Sequence, residues 1–190
     1  MTEGAWNNLG LYHREAVKDL SAARKDFEKA LALAPGYHSP MFNLAILWRD
    51  QGDDRRGREW LWRAFAAGHA RPEQTLAGWI NWYEEHRPAA LGPLLEEAVS
   101  RYPANEAFAR MLALSRFKRK DCQGAYALLS PFEPKTSDPN TLNSLALLET
   151  CLGQRQQAIT LFERSLSIKP DQPGAIESLN VLKRGYPPKG

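Results

Sequence analysis

One recurring spacing constrains what this chain can fold into. Ala23, Phe27, Ala30 and Pro35 follow one another at intervals of four, three and five residues. The same frame returns as Ala158, Phe162, Ser165 and Pro170, and more weakly as Leu91, Leu95, Ala98 and Pro103. Gly57, Leu61 and Ala64 fit its first three places. Residues at i, i+4 and i+7 share one face of an α-helix, so each copy predicts a helix with a small, apolar seam. Leu44-Ala45 and Leu145-Ala146 mark a second kind of helix between the copies. The period is about 34 residues, enough for two short helices and their turns. Such a pair cannot bury its apolar faces alone, so neighbouring pairs must stack to make a core.

The punctuation agrees. Pro40, Pro72 and Pro173 suit first turns of helices, where a missing N–H costs nothing. Gly52 and Gly153 fall where the first helix of a pair must stop. Trp6-Asn7-Asn8-Leu9-Gly10 resembles the first-helix signature of the tetratricopeptide repeat (TPR), as do Leu44-Ala45 before Gly52 and Leu145-Ala146 before Gly153. The resemblance covers nearly the whole chain. It implies an all-α fold: a right-handed superhelical α-solenoid of about five TPR-like helix-turn-helix repeats plus a C-terminal capping helix. Residues 1–184 are expected to be a single domain, with repeats at about 4–37, 38–71, 72–105, 106–138 and 139–172 and a cap at 173–184. Residues 185–190 are expected to be a flexible tail.

Three departures from the frame carry expectations. The first repeat holds one extra residue between its helices. Pro88 and Pro93 delay or kink the second helix of the third repeat. Gly124, Pro131, Pro134 and Pro139 predict a short second helix and a long exit loop in the fourth. In the capping helix, Ile176, Leu179 and Leu182 are expected to face inward. Trp6, Trp48, Trp79 and Trp82 occupy positions where the repeat buries large side chains. Trp60 and Trp62 point to different faces of one helix, so at least one is partly exposed.

The resemblance also implies that a second stripe on the first helix of each repeat lines a concave face. Its central place is aliphatic throughout: Leu11, Ile46, Ile80, Leu114 and Leu147. A continuous apolar row should not be left in water. The expected partner-binding residues are Leu11, Phe42, Ile46, Arg49, Leu76, Ile80, Tyr83, Arg110, Leu114, Phe117 and Leu147, an apolar groove with Arg49, Arg110 and Lys118 open to acidic flanks. The alternative is burial of the row by the protein itself, including in a homo-oligomer. Two ligand modes of the family have no full counterpart. Asn7, Leu11 and Glu73 stand where a carboxylate clamp needs other residues. An asparagine ladder has rungs only at Asn8 and Asn43, broken by Ala77, Met111 and Ser144, and these two are expected on the surface.

Other classes find little support. The net charge of +3 is small for a nucleic-acid binder, and the basic runs at 55–58 and 116–120 read as solvated turns. No phosphate loop or nucleophile elbow occurs, and His13, His38, His69 and His86 form no metal spacing with the cysteines. Glu84-Glu85 and Glu96-Glu97 diverge by about 100° on a helix and cannot converge on one substrate. The chain therefore reads as a non-enzymatic scaffold without cofactor or metal, binding a protein or peptide, with no nucleic acid and no membrane span. Cys122 and Cys151 read as two free thiols in a reducing, cytoplasmic compartment. Two further readings stay open: a self-associating structural module, or the substrate-presenting TPR region of a larger modular protein, for example a glycosyltransferase-linked one.

Overall fold

The computed structural model describes residues 1–184, and over these the chain is all-α. The helices are α1 (Glu3–Tyr12), α2 (Leu20–Leu33), α3 (His38–Asp50), α4 (Asp54–Ala66), α5 (Pro72–His86), α6 (Leu91–Arg101), α7 (Glu106–Lys118), α8 (Cys122–Leu129), α9 (Pro139–Cys151), α10 (Arg155–Ile168) and α11 (Pro173–Arg184). They form two compact units, residues 1–90 and the residues from Leu91 onward. In the first, α1 packs on α2 and α3 on α4; in the second, α7 packs on α8, α9 on α10, and α11 on α10.

Local chemistry sets the helix ends. Thr2, Asp19, Asp53, Asn105, Asp121 and Asp138 each accept a backbone N–H from the first turn of the helix that follows. Each such cap stabilises by about 1 kcal/mol. Gly52 and Gly153 turn the chain at φ +91° and +79°, in the left-handed region that glycine enters without strain.

Small residues decide how closely the helices meet. A Cβ on Gly10 would lie 2.5 Å from Cε1 of Phe27, a fully buried ring. The missing side chain of Gly57 lets α4 lie against the α3 backbone, where a Cβ would stand 3.1 Å from the Arg49 nitrogen. Ala23, Ala30, Ala45, Ala64, Ala98 and Ala158 are all completely buried. In the first unit, Ala23, Phe27, Leu44 and Leu47 make one cluster, with Leu11, Leu20, Leu31, Trp48 and Trp60 packed against it. In the second, Leu129, Leu142, Leu145, Leu161 and Phe162 anchor another.

The departures from the repeat frame take physical form. After α1, residues His13–Val17 make one π-helical turn, closed by Lys18 at φ 62°. A wider turn absorbs the extra residue while the helix stays continuous. Pro88–Ala90 form a 3₁₀ turn, and α6 begins only at Leu91. α8 is only eight residues long, and a 3₁₀ turn follows at Ser130–Phe132. The exit loop is then pinned: Arg164 donates to the carbonyls of Glu133 (3.0 Å) and Thr136 (2.6 Å), and the Thr136 hydroxyl donates to Glu106.

Several expectations need correction. Cys122 and Cys151 are not free; they are joined in a disulfide with Cα atoms 6.2 Å apart. In α11 the inward face is Ala175, Leu179 and Leu182, while Ile176 is 41% exposed. Positions 175, 179 and 182 share one helical stripe, and the face that meets α10 is rotated by one residue from the expected one. Trp79 is buried, but Trp6, Trp48 and Trp82 are only partly so. Cations cover them instead: Lys29 Nζ lies 4.0 Å above Trp6, and the Arg56 guanidinium 4.6 Å above Trp48. Trp62 is buried, and Trp60 is the half-exposed member of its pair. The expected tail, 185–190, lies outside the described residues.

Gly10→Ala should destabilise the protein by about 1–3 kcal/mol, because overpacking against Phe27 outweighs the gain in helix propensity. Gly78→Ala, in α5 with nothing within 4 Å of the new methyl, should be neutral or stabilise by up to about 1 kcal/mol. Urea unfolding midpoints of the two variants check the contrast.

Candidate interaction surface

In the first unit, the expected binding residues separate into three groups. Leu11, Phe42, Ile46 and Ile80 are half-buried. Leu76 and Tyr83, expected on the binding face, are instead completely buried. Both sit on the side of α5 that carries the buried Trp79, so they belong to the core. Arg49 is also nearly buried, its guanidinium 4.1 Å from the centre of Trp82 and 5.1 Å from that of Trp79. It reaches Asp50 at 2.8 Å. Its charge is therefore engaged within the unit, not open to a partner's acidic flank.

A polar network explains why Tyr83 can be buried. Its hydroxyl donates to Asp54 at 2.9 Å, and Arg87 donates to the same carboxylate oxygen at 2.6 Å. Burial first, and the Asp54 carboxylate second, push the Tyr83 phenol well above its usual range. Charge-assisted bonds of this kind satisfy a carboxylate that must face inward. Asn43, expected on the surface, is instead buried, and donates to the buried Asn7 at 2.9 Å. Asn8, the other asparagine expected on the surface, is exposed.

Phe42 has a specific neighbour. The His69 ring stacks on it with centroids 4.5 Å apart, lies 5.4 Å from His38, and is within 3.3 Å of the Thr75 hydroxyl through Nε2. Burial, with a smaller contribution from His38, lowers the His69 pKa.

In the second unit, Leu114 and Arg110 are half-buried, and Phe117 packs against the core cluster. Arg110 lies 3.8 Å from Asp138. Leu147 differs from the other four members of the aliphatic row: it is 37% exposed. With Thr150, Glu177, Ser178, Val181 and Leu182 it lines a groove of about 270 Å³ between α9 and α11. The groove's hydroxyls are already used, since Thr150 donates to the Ala146 carbonyl and Ser178 to that of Gly174, both at 2.8 Å. What remains for a ligand is chiefly apolar surface, with Val181 45% exposed at one wall and Glu177 at the rim. Sequence reasoning did not single out Val181: it lies off the buried stripe of α11 in either register, and only the packing of α11 beside α9 makes it a groove wall.

Residues 3–37 match one model of the tetratricopeptide repeat, and residues 140–169 match another. Helix pairs, buried small residues and these matches together make the chain a tetratricopeptide-repeat protein. Three solved structures are similar in fold. YrrB, described as a TPR protein with an unusual peptide-binding site, is 14% identical at a TM-score of 0.53, over 93% of this chain and 91% of its own. The Cut9 and Hcn1 hetero-tetramer of the APC/C gives 15% identity and a TM-score of 0.54, over 96% of this chain and 36% of the other. PilF of Pseudomonas aeruginosa gives 17% and 0.52, over 92% and 79%. No curated protein sequence matches the chain. Among the described residues, no helix is long and apolar enough to cross a membrane.

The lowered pKa of His69 makes stability depend on pH. The unfolded chain takes up this proton near pH 6.5, the folded chain only below it. The contribution is thus fully present above about pH 6.5 and is lost as the pH falls from there through the folded pKa. Urea midpoints measured between pH 8 and pH 5 should fall in the wild type, and fall less in His69→Phe.

Proposed function

We propose that this chain is a protein-interaction scaffold that takes an apolar or amphipathic partner segment on the faces of its first-in-repeat helices. The observation that carries this reading is the groove between α9 and α11, where Leu147 and Val181 stay in water and the nearby hydroxyls are already satisfied. An isolated exposed leucine needs no explanation, but two apolar side chains walling one concavity fit the entry of a partner's side chain. YrrB, described as a TPR protein with a peptide-binding site, supports the class of function through its fold alone. In the first unit, Leu11, Ile46 and Ile80 are half-buried and offer less apolar surface.

A second reading is self-association through the face of α11 that carries Ile176. Ile176 is exposed on α11 about 140° around the helix from Val181, so it faces away from the groove. A contact between copies through Ile176 would leave the groove free.

Leu147→Glu separates the two readings. Titrated with a panel of labelled amphipathic Leu- and Ile-rich peptides, it should bind at least tenfold more weakly than wild type, with an unchanged melting temperature. Ile176→Glu should leave that binding intact. Equal peptide affinities for wild type and Leu147→Glu would rule out the groove. A mass that changes with concentration in light scattering, and returns to monomer in Ile176→Glu, would establish the second reading.

A further inference from the structure

The chain has two cysteines, and the fold brings them together from different repeats. Cys122 is the first residue of α8 and Cys151 the last of α9, 29 positions apart. The helices they join already share a core through Ala125, Leu129, Leu142 and Leu145, so the bond is added to a junction that apolar packing has formed. Its two sulfurs are placed unequally. Cys122 is 8% exposed, whereas Cys151 lies on the surface beside the Gly153 turn.

We infer that the Cys122–Cys151 bond is a thiol–disulfide exchange site, open to a small-molecule or protein dithiol at Cys151. A thiolate of the dithiol attacks Cys151 Sγ; a new sulfur–sulfur bond forms and the bond to Cys122 breaks, its electron pair leaving on Cys122 Sγ. The second thiol of the dithiol then displaces Cys151. The dithiol ends as a disulfide, and the two cysteines end as thiols carrying its two protons. Access selects the attacked atom, because thiol exchange needs an in-line approach that the buried sulfur denies. The leaving sulfur stands at the N-terminus of α8, whose dipole favours an anion. The Asp121 carboxylate, which caps the same helix by accepting from the Gly124 N–H at 2.9 Å, opposes that effect. Exposure of Cys151, rather than an activated thiol, therefore carries the site. In oxidising surroundings the bond ties the start of α8 to the end of α9; a reducing compartment opens it.

The test uses the full chain, dithiothreitol and a maleimide mass label. Air-oxidised protein, unfolded before labelling, should show no free thiol. Native treatment with dithiothreitol should then release both thiols and lower the melting temperature by about 5–15 °C, as expected when a loop of this length is opened in a chain of this size. In Cys122→Ser, oxidised glutathione should react with Cys151 at least tenfold faster than it reacts with Cys122 in Cys151→Ser. Free thiols in the oxidised protein, a melting temperature indifferent to reductant, or equal rates at the two cysteines would each overturn the inference. If either serine variant fails to fold, the thiol count and melting shift of the wild type still decide whether the bond forms and opens.

Discussion

How closely one helix can approach the next is the constraint on which this structure depends. A pair of short helices has too little apolar surface to hold itself together, so each must press against its neighbours over most of one side. The chain meets this with residues that have almost no side chain. Gly10 admits the ring of Phe27, Gly57 admits the backbone around Arg49, and the buried alanines set the remaining contacts. The large side chains that fill the space left over, such as Phe108 and Phe162, can then be fully buried.

Aromatic residues form a second tier. Trp62 and Trp79 are buried, but Trp6, Trp48, Trp60 and Trp82 keep one face near solvent. Guanidinium or ammonium groups cover that face: Arg49 and Arg87 over Trp82, Arg24 and Arg56 over Trp48, Lys29 over Trp6. A cation so placed stays partly hydrated while its aliphatic stem excludes water from the ring. The arrangement also removes Arg49 from the list of free charges. In the first unit the apolar side chains of Leu11, Ile46 and Ile80 are only partly exposed, whereas the second unit has a groove walled by Leu147 and Val181.

The repeat frame, the helix pairs and the main irregularities were legible in the sequence because they depend on local rules. Spacing of small and apolar residues defines a helical seam, and proline and glycine punctuate it whatever lies across the way. The long exit loop after α8 followed from its prolines, and the extra residue after α1 was visible as a count, though not as a π-helical turn. The candidate binding residues were harder. Leu76 and Tyr83 were expected on the binding face, but burial of Tyr83 depends on Asp54, which comes from the start of α4 and is held also by Arg87 at the end of α5. Asn43 reads as a surface asparagine until it is seen to donate to the buried Asn7, 36 residues away.

What the sequence by itself determined, then, is the class: an all-α chain of tetratricopeptide-like helix pairs, because periodicity and punctuation act over a few residues. What only the tertiary structure decided is which side chains are covered. The rotation of α11 that buries Ala175 and bares Ile176, the engagement of Arg49 by two tryptophans, and the meeting of Cys122 with Cys151 all join residues far apart in the chain. A stripe on one helix fixes which residues move together, but the angle at which the neighbouring helix packs fixes which of them meet water.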